Sequence, residues 1–288
     1  DIIYSYWNNI CAYAACERKR KGWPGKVVSR IHGADLYEER VHGYMPLKRQ
    51  YVDDFDAVFC LSPEAAGYFH ERFGGERQDI KVAPLGVPLG TTLTSPSPQE
   101  AVHIVSLSFC VPVKRIDRIV DAVERFAIEV PDRSVTWTHI GDGPLYESLK
   151  ADAQSRDRGL NNLYCRFLGA LEHEQVKRFF EENNVDVFIN SSASEGMPVS
   201  IMEAMSFGVP VIAPDVGSVS GLVSDDRGRL LTSEPGPEDI AEAIKHCVLA
   251  PEEHREAMAR LARQHIATNF NADNTYPAFV NAVLDFMK

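Results

Sequence analysis

Two doubly wound α/β halves are what this 288-residue sequence predicts. Strand-like and helix-like segments alternate along the whole chain, the pattern of a parallel sheet covered by helices. A tract rich in Gly, Pro, Ser and Thr interrupts them, and beyond it the alternation starts again. No internal repeat or low-complexity tract points to another architecture.

In the first half, strands are expected near 1–4, 26–31, 56–61 and 79–83, with helices near 7–20, 45–53 and 63–73. The stretch GVPLGTTLTSPSPQE (86–100) has no periodicity and reads as a linker. After it come strand AVHIVSLS (101–108), helix 115–129, strand 134–140, helix 145–156, strand 163–168, helix 173–183, strand 185–190, helix 198–207 and strand 210–213. A short strand near 228–232 follows, then helices near 237–249, 252–268 and 274–287. Five strands alternating with helices in about a hundred residues make a doubly wound domain. The expected divisions are 1–90, 91–269 and a terminal helical piece, 270–288. The first part has few strands for such a domain and opens DIIYSYW without a Met, so it is expected to lack an N-terminal piece.

Composition narrows the function. Apolar content of 44% and charged content of 25% suit a soluble globular protein. No apolar run approaches the ~18 residues of a membrane span, and no signal peptide is visible. Residues 1–92 carry twelve basic and twelve acidic side chains, so the whole net charge of −11 falls beyond them. That balance argues against nucleic acid as a partner. The six cysteines are scattered without a CxxC pair, so reduced thiols in a cytoplasmic protein are expected, with no structural metal.

The most informative stretch is SSASEGMPVSIMEAMSFGVPVIAPDVGS (191–218). Pro198 fits the first position of a helix. Pro198, Ile201, Met202 and Met205 then form one apolar stripe, and Glu203 lies roughly 150° from its centre, toward solvent or a cleft. Glu195 precedes the helix at the carboxyl end of a strand, where open α/β sheets bind ligands. The helix start also offers free N–H groups to an anion. An exposed helical Glu and an acidic residue near a helix start are ordinary too.

SEGMPVSIMEAMSFGVPVIA closely resembles the donor-site signature of retaining nucleotide-sugar glycosyltransferases of the GT-B fold, family four in the usual classification. The resemblance implies two Rossmann-like domains facing a cleft, here with the N-terminal, acceptor-side domain incomplete, and a terminal helix that crosses back to that domain. It implies that Glu195 faces the donor sugar hydroxyls, that the Gly196-Met197-Pro198 backbone approaches sugar and phosphates, and that Glu203 accepts hydrogen bonds from the ribose.

Other motifs resemble the same family. In SLSFCVPVKRID (106–117), Lys114 matches the family's phosphate-binding Lys, and Arg115 adds a second cation. Ser108 and Phe109 stand where the family has Gly and Arg, so half of its phosphate clamp is missing, and Arg115 replaces a Gly. Gly141 and Gly143 in THIGDGPLYESL (138–149) match a turn beside the donor, although glycines also simply make such turns. Leu168 in FLGAL (167–171) matches the loop whose backbone reads the base. His32 in SRIHGADLYEE (29–39) matches the histidine that contacts the donor sugar, with Arg30 and Asp35 as secondary candidates. The resemblance covers nearly all of the chain, most strongly 106–118 and 185–222 and least 1–25.

The implied function is metal- and cofactor-independent hexosyl transfer, with retention of configuration, from a nucleoside diphosphate sugar to a glycan or lipid-linked acceptor in surface polysaccharide biosynthesis. His32, Glu195 and Lys114 would act at the reacting centre. Asp54-Phe55-Asp56 fits the D-x-D string of metal-dependent transferases but precedes a strand, and reads as a solvated helix end. The run Arg18–Lys21 beside Trp23 suits contact with anionic lipid at the inner membrane face, or simply a helix C-terminus. An epimerase or a phosphorylase of the same fold, and a truncated non-catalytic sugar-nucleotide-binding module, stand as alternatives.

Overall fold

Two parallel sheets organise the chain. The computed structural model describes residues 1–41, 43–74, 79–98 and 100–287. The chain divides into two units: Asp1–Gly86 with Glu195–Met197 and Ala272–Lys288, and Val87–Ser194 with Pro198–Asn271.

The first unit pairs β1 (Ile2–Ser5), β2 (Lys26–Ile31), β3 (Ala57–Cys60) and β4 (Ile80–Val82) in that order, all parallel. Its sheet is apolar on both faces, as a parallel sheet between helices must be. Val27, Ile31, Val58 and Cys60 pack with Ala12 and Cys16 of α1 (Ile10–Arg20) and Phe69 of α3 (Pro63–Phe69). A short α2 (Lys48–Tyr51) lies between β2 and β3 in sequence.

The second unit holds β5 (Ala101–Leu107), β6 (Ser134–Ile140), β7 (Leu163–Phe167), β8 (Val187–Ile189), β9 (Val211–Pro214) and β10 (Gly228–Leu231). The strand order is β10-β9-β8-β5-β6-β7. Between them run α4 (Ile116–Glu129), α5 (Tyr146–Asp157), α6 (His173–Glu182) and α7 (Val199–Ser206), followed by α8 (Pro237–Val248) and α9 (Glu252–Asn269). In α4, Ile116, Ile119, Val120, Val123 and Phe126 recur at helical spacing and are all buried, which seats the helix on the sheet. The other face of the first sheet is covered by α10 (Ala272–Leu284), whose Phe279 lies 5.1 Å from Phe59 between ring centroids.

Each element expected from the sequence has a counterpart, and the differences are local. The helix expected over 45–53 shrinks to α2, because Leu47 sits in the left-handed region at φ 70 and interrupts it. The helix expected from 63 to 73 ends as α3 at Phe69 and continues as a π-turn through Gly74. Pro198 is the N-cap of α7, with extended backbone, rather than its first helical residue. Gln99 and Lys288, inside the expected linker and last helix, lie outside the described residues.

Candidate functional site

The strand order of the second unit reverses at one point, the kind of place where open α/β sheets bind ligands. From β5 the chain winds outward through β6 and β7, then returns to the opposite side of β5 with β8, β9 and β10. The carboxyl ends of β5 and β8 therefore flank the point where the winding reverses, and helices leave in opposite directions there. The loops that follow these strands are 108–115 and 190–198.

Loop 108–115 is fastened on both sides. The Ala193 amide donates to the Val113 carbonyl at 2.8 Å, and the Ser191 hydroxyl sits 2.7 Å from the Lys114 carbonyl and 2.9 Å from that of Arg115. Arg115 adopts φ 49 and starts α4 as its N-cap. Only 9% of it is exposed, and its guanidinium donates to the Ser191, Ser192 and Ser233 carbonyls and to Glu234. Those donors tie the two loops together. Lys114, its neighbour, is half-buried in the same loop.

The glycine turn after β6 supports that loop from the other side. A side chain on Gly141 would collide with the Ser108 carbonyl oxygen, and one on Gly143 would stand 2.8 Å from the Cys110 carbonyl oxygen. Both residues also have φ near +145, so glycine is required twice over. Beneath them His139 is fully buried, 2.9 Å from the Ser106 hydroxyl and 3.3 Å from the Cys110 sulfur. Burial pushes its imidazole down to about 4, so it is neutral. Leu168 follows β7, 41% exposed, with its amide bonded to the His139 carbonyl.

Glu203 does lie off the core stripe of α7: Ile201, Met202 and Met205 are buried beneath it. Instead of reaching open solvent it lines a small cavity with His173, Lys177, Phe180 and Gly90. His173 Nδ1 stands 3.1 Å from its carboxylate. Burial raises the Glu203 pKa, and His173 partly offsets this. A carboxylate at the edge of a cleft, with one neighbour, can accept hydrogen bonds from neutral hydroxyls.

The first unit brings its candidates together at the end of β2. His32 is 7% exposed, and neither ring nitrogen has a hydrogen-bond partner among the described residues. Burial, with the Arg30 guanidinium, pushes its imidazole down to about 4, so at neutral pH it offers one N–H donor and one acceptor. Segment Glu195–Met197 belongs to this unit. A Cβ on Gly196 would stand 2.7 Å from the Gly33 amide nitrogen and 3.8 Å from the His32 carbonyl carbon, so both glycines are needed for this backbone approach. Glu195 is 6% exposed and its carboxylate lies 4.0 Å from Arg40. Met197 is buried.

The secondary candidates have structural partners. Arg30 is buried, donates to the Ala83 and Pro84 carbonyls and lies over the Phe279 ring. Asp35 accepts from the His32 amide at 2.5 Å and the Asn8 amide at 2.6 Å. Asp54 pairs with Arg20, and Asp56 with Lys19 and Lys26, so two cations of the run meet the D-x-D string. Lys21 pairs with Glu17, and Arg18 lies over the Trp23 ring. Among the described residues no group of three or more His, Cys, Asp or Glu side chains could hold a metal, and no helix is long and apolar enough to cross a membrane. All six cysteines are free thiols, with Cys11 exposed.

Sequence reasoning missed Tyr6 and Trp7, whose rings each lie 4.4 Å from the His32 ring, and the buried Lys48. The aromatic pair at the end of a strand was a visible signal; Lys48, within an expected helix, carried none. His173 and Glu234 depend on long-range contacts.

A family model described as glycosyl transferases group 1 matches residues 94–265. The chain is 26% identical over 265 residues to a component of the phosphatidylinositol N-acetylglucosaminyltransferase of Arabidopsis thaliana, covering 88% of this chain and 56% of that protein. It is 25% identical to the amylovoran biosynthesis glycosyltransferase AmsK of Erwinia amylovora, covering 96% of this chain and 68% of that protein. The solved pneumococcal O-GlcNAc transferase GtfA, in complex with UDP and GlcNAc, aligns with all of this chain and 57% of its own at a TM-score of 0.76 and 21% identity. The fold is thus that of the GT-B glycosyltransferases, and the chain spans little more than half the length of the plant relative.

Proposed function

The chain belongs to the glycosyl transferases group 1 family, and we propose that it serves retaining, metal-independent transfer of a sugar from a nucleoside diphosphate sugar to a glycan or lipid-linked acceptor, in surface polysaccharide biosynthesis. The observation that carries this reading is the reversal of strand order at β5 and β8, with Lys114 in one flanking loop and the start of α7 after the other. A helix start and a Lys suit a diphosphate. Glu203, 15% exposed beside its cavity, suits the ribose hydroxyls.

In the reaction, the bond from the anomeric carbon to the phosphate oxygen breaks and a bond to the acceptor oxygen forms. The departing phosphate oxygen takes the acceptor's proton. Lys114 stabilises the charge that develops on the diphosphate, while neutral His32 and Glu195 hold hydroxyls of the transferred sugar. Arg115 keeps Lys114 in place through the loop that it ties together. A UDP-sugar is the first donor to test, since GtfA is solved in complex with UDP and GlcNAc.

A thermal-shift panel of UDP-, GDP-, ADP- and dTDP-sugars tests the reading. One class should stabilise the protein, and Glu203→Ala should weaken that donor's binding about tenfold, the loss of a hydrogen-bonded carboxylate. Stabilisation by no donor, or equal shifts in both proteins, would overturn the assignment of this crevice. Incubating donor without acceptor and following epimerisation separates transfer from the epimerase alternative.

A further inference from the structure

The second unit has another cavity, at the opposite edge of its sheet from the crevice. It encloses about 300 Å³, at the lower end of the range of small-molecule sites. Leu93, Pro96, Val185, Pro210, Ala259 and Cys247 give it apolar walls, and every lining residue belongs to the second unit. Val185 and Pro210 precede β8 and β9, so the cavity sits at the amino ends of these strands, whereas loop 190–198 leaves the carboxyl end of β8.

The walls are fixed in advance. Gly208 has φ 77, and a Cβ there would stand 2.6 Å from the Leu93 side chain and 3.1 Å from the Ala259 carbonyl oxygen. The glycine thus lets the segment around Leu93 and helix α9 close on each other. The Thr94 amide donates to the Phe207 carbonyl at 2.8 Å, and its hydroxyl accepts from the Val185 amide at 3.0 Å. Arg263 fastens α9 by donating to the Ser206 carbonyl at 2.7 Å. A site already formed before its ligand arrives loses little affinity to ordering.

The charges around the cavity select the ligand. Asp186, Arg255, Glu256 and Arg260 line it. Asp186 accepts from the Ser97 and His103 amides at 2.9 Å and 2.7 Å, and Glu256 pairs with Arg260 at 3.4 Å. Arg255 is left over. It is half-buried, its Nε is closed off without a hydrogen-bond partner, and no carboxylate stands within ion-pair distance of it among the described residues. A guanidinium on an apolar cavity calls for an anion, which it can grip through two parallel N–H groups. A polyanion would meet Asp186 and Glu256 as well, and no aromatic ring among the lining residues could stack a base or a sugar. We infer that this cavity binds a monocarboxylate with a short apolar body, its head on the Nη groups of Arg255 and its body along Leu93, Pro96 and Ala259. This site does not rest on the glycosyltransferase reading.

Saturation-transfer NMR titrations of the full chain with octanoate, octanol, octylamine and acetate test this. Octanoate should bind about tenfold tighter than octanol or octylamine, and acetate, which has a head but no body, should receive no saturation. Arg255→Gln should lower octanoate affinity about tenfold, to the level of octanol, as expected for a lost hydrogen bond to a charged group. Arg255→Lys, which keeps the charge, should lose less. Ala259→Leu, which fills the cavity, should weaken octanoate at least tenfold, and it carries the test if Arg255→Gln unfolds. Silence from octanoate, equal or tighter binding of octanol or octylamine, or octanoate affinity unchanged in the Gln and Leu variants overturns the site. UDP-sugar stabilisation of the same samples reads the transferase assignment separately, and its failure leaves this site standing.

Discussion

Arg115 of the second unit and His32 of the first are both polar side chains buried near the carboxyl end of a parallel sheet, 9% and 7% exposed. The fold treats them in opposite ways. Arg115 donates to four oxygens of its own unit. Neither nitrogen of His32 has a partner among the described residues. Burying a polar group without a hydrogen bond is unfavourable. The difference is one of hydrogen bonding: Arg115 is satisfied within its unit, while the His32 ring meets the Tyr6 and Trp7 rings.

Substituting Arg115 should produce the largest effect. Arg115→Met leaves two buried serine carbonyls without donors and should lower unfolding free energy by about 3 kcal/mol in urea titrations. Unchanged stability with lost donor affinity would break the contrast and return Arg115 to the phosphates. His32→Ala should do the reverse. Transfer falls about a hundredfold, as expected for loss of a positioned polar group, while the urea midpoint holds or rises. A destabilised His32→Ala would mean that the ring is a packing element.

Acid sharpens the comparison inside the second unit. His139 is held near 4 when folded, below its unfolded value of 6.5, so the unfolded chain takes up the proton first. Its contribution to stability is present above pH 6.5 and is lost as pH falls toward 4, by roughly 2–3 kcal/mol for this fully buried ring. Urea midpoints at pH 7, 5.5 and 4.5 measure it, and His139→Gln should flatten that slope. The smallest effect is expected at Phe109, 57% exposed where the resembled family has an arginine. Phe109→Arg should tighten donor binding a few-fold, by ~0.5–1 kcal/mol, without altering stability; calorimetry that shows no gain would place this position away from the phosphates.

Strand and helix positions were readable because both sheets are parallel, and apolar runs separated by helices survive with little tertiary help. Errors fell at Leu47 and Pro198, where one residue's φ or a cap decides a boundary. Glu203 was legible from its angle on α7, since periodicity reports the outward face. What lay across from it, His173, was not, because thirty residues of sequence separate the pair.

The sequence by itself determined the alternation and the family motifs, which are local patterns or short strings. Tertiary structure alone decided which cations stay available. The run at 18–21 and the pair at 54 and 56 look like separate features in sequence, yet Lys19 and Arg20 of the run pair with Asp56 and Asp54 in the fold. It also decided that Arg115 faces inward and that Tyr6 and Trp7 surround His32, because burial and hydrogen-bond partners belong to contacts between residues far apart in the chain.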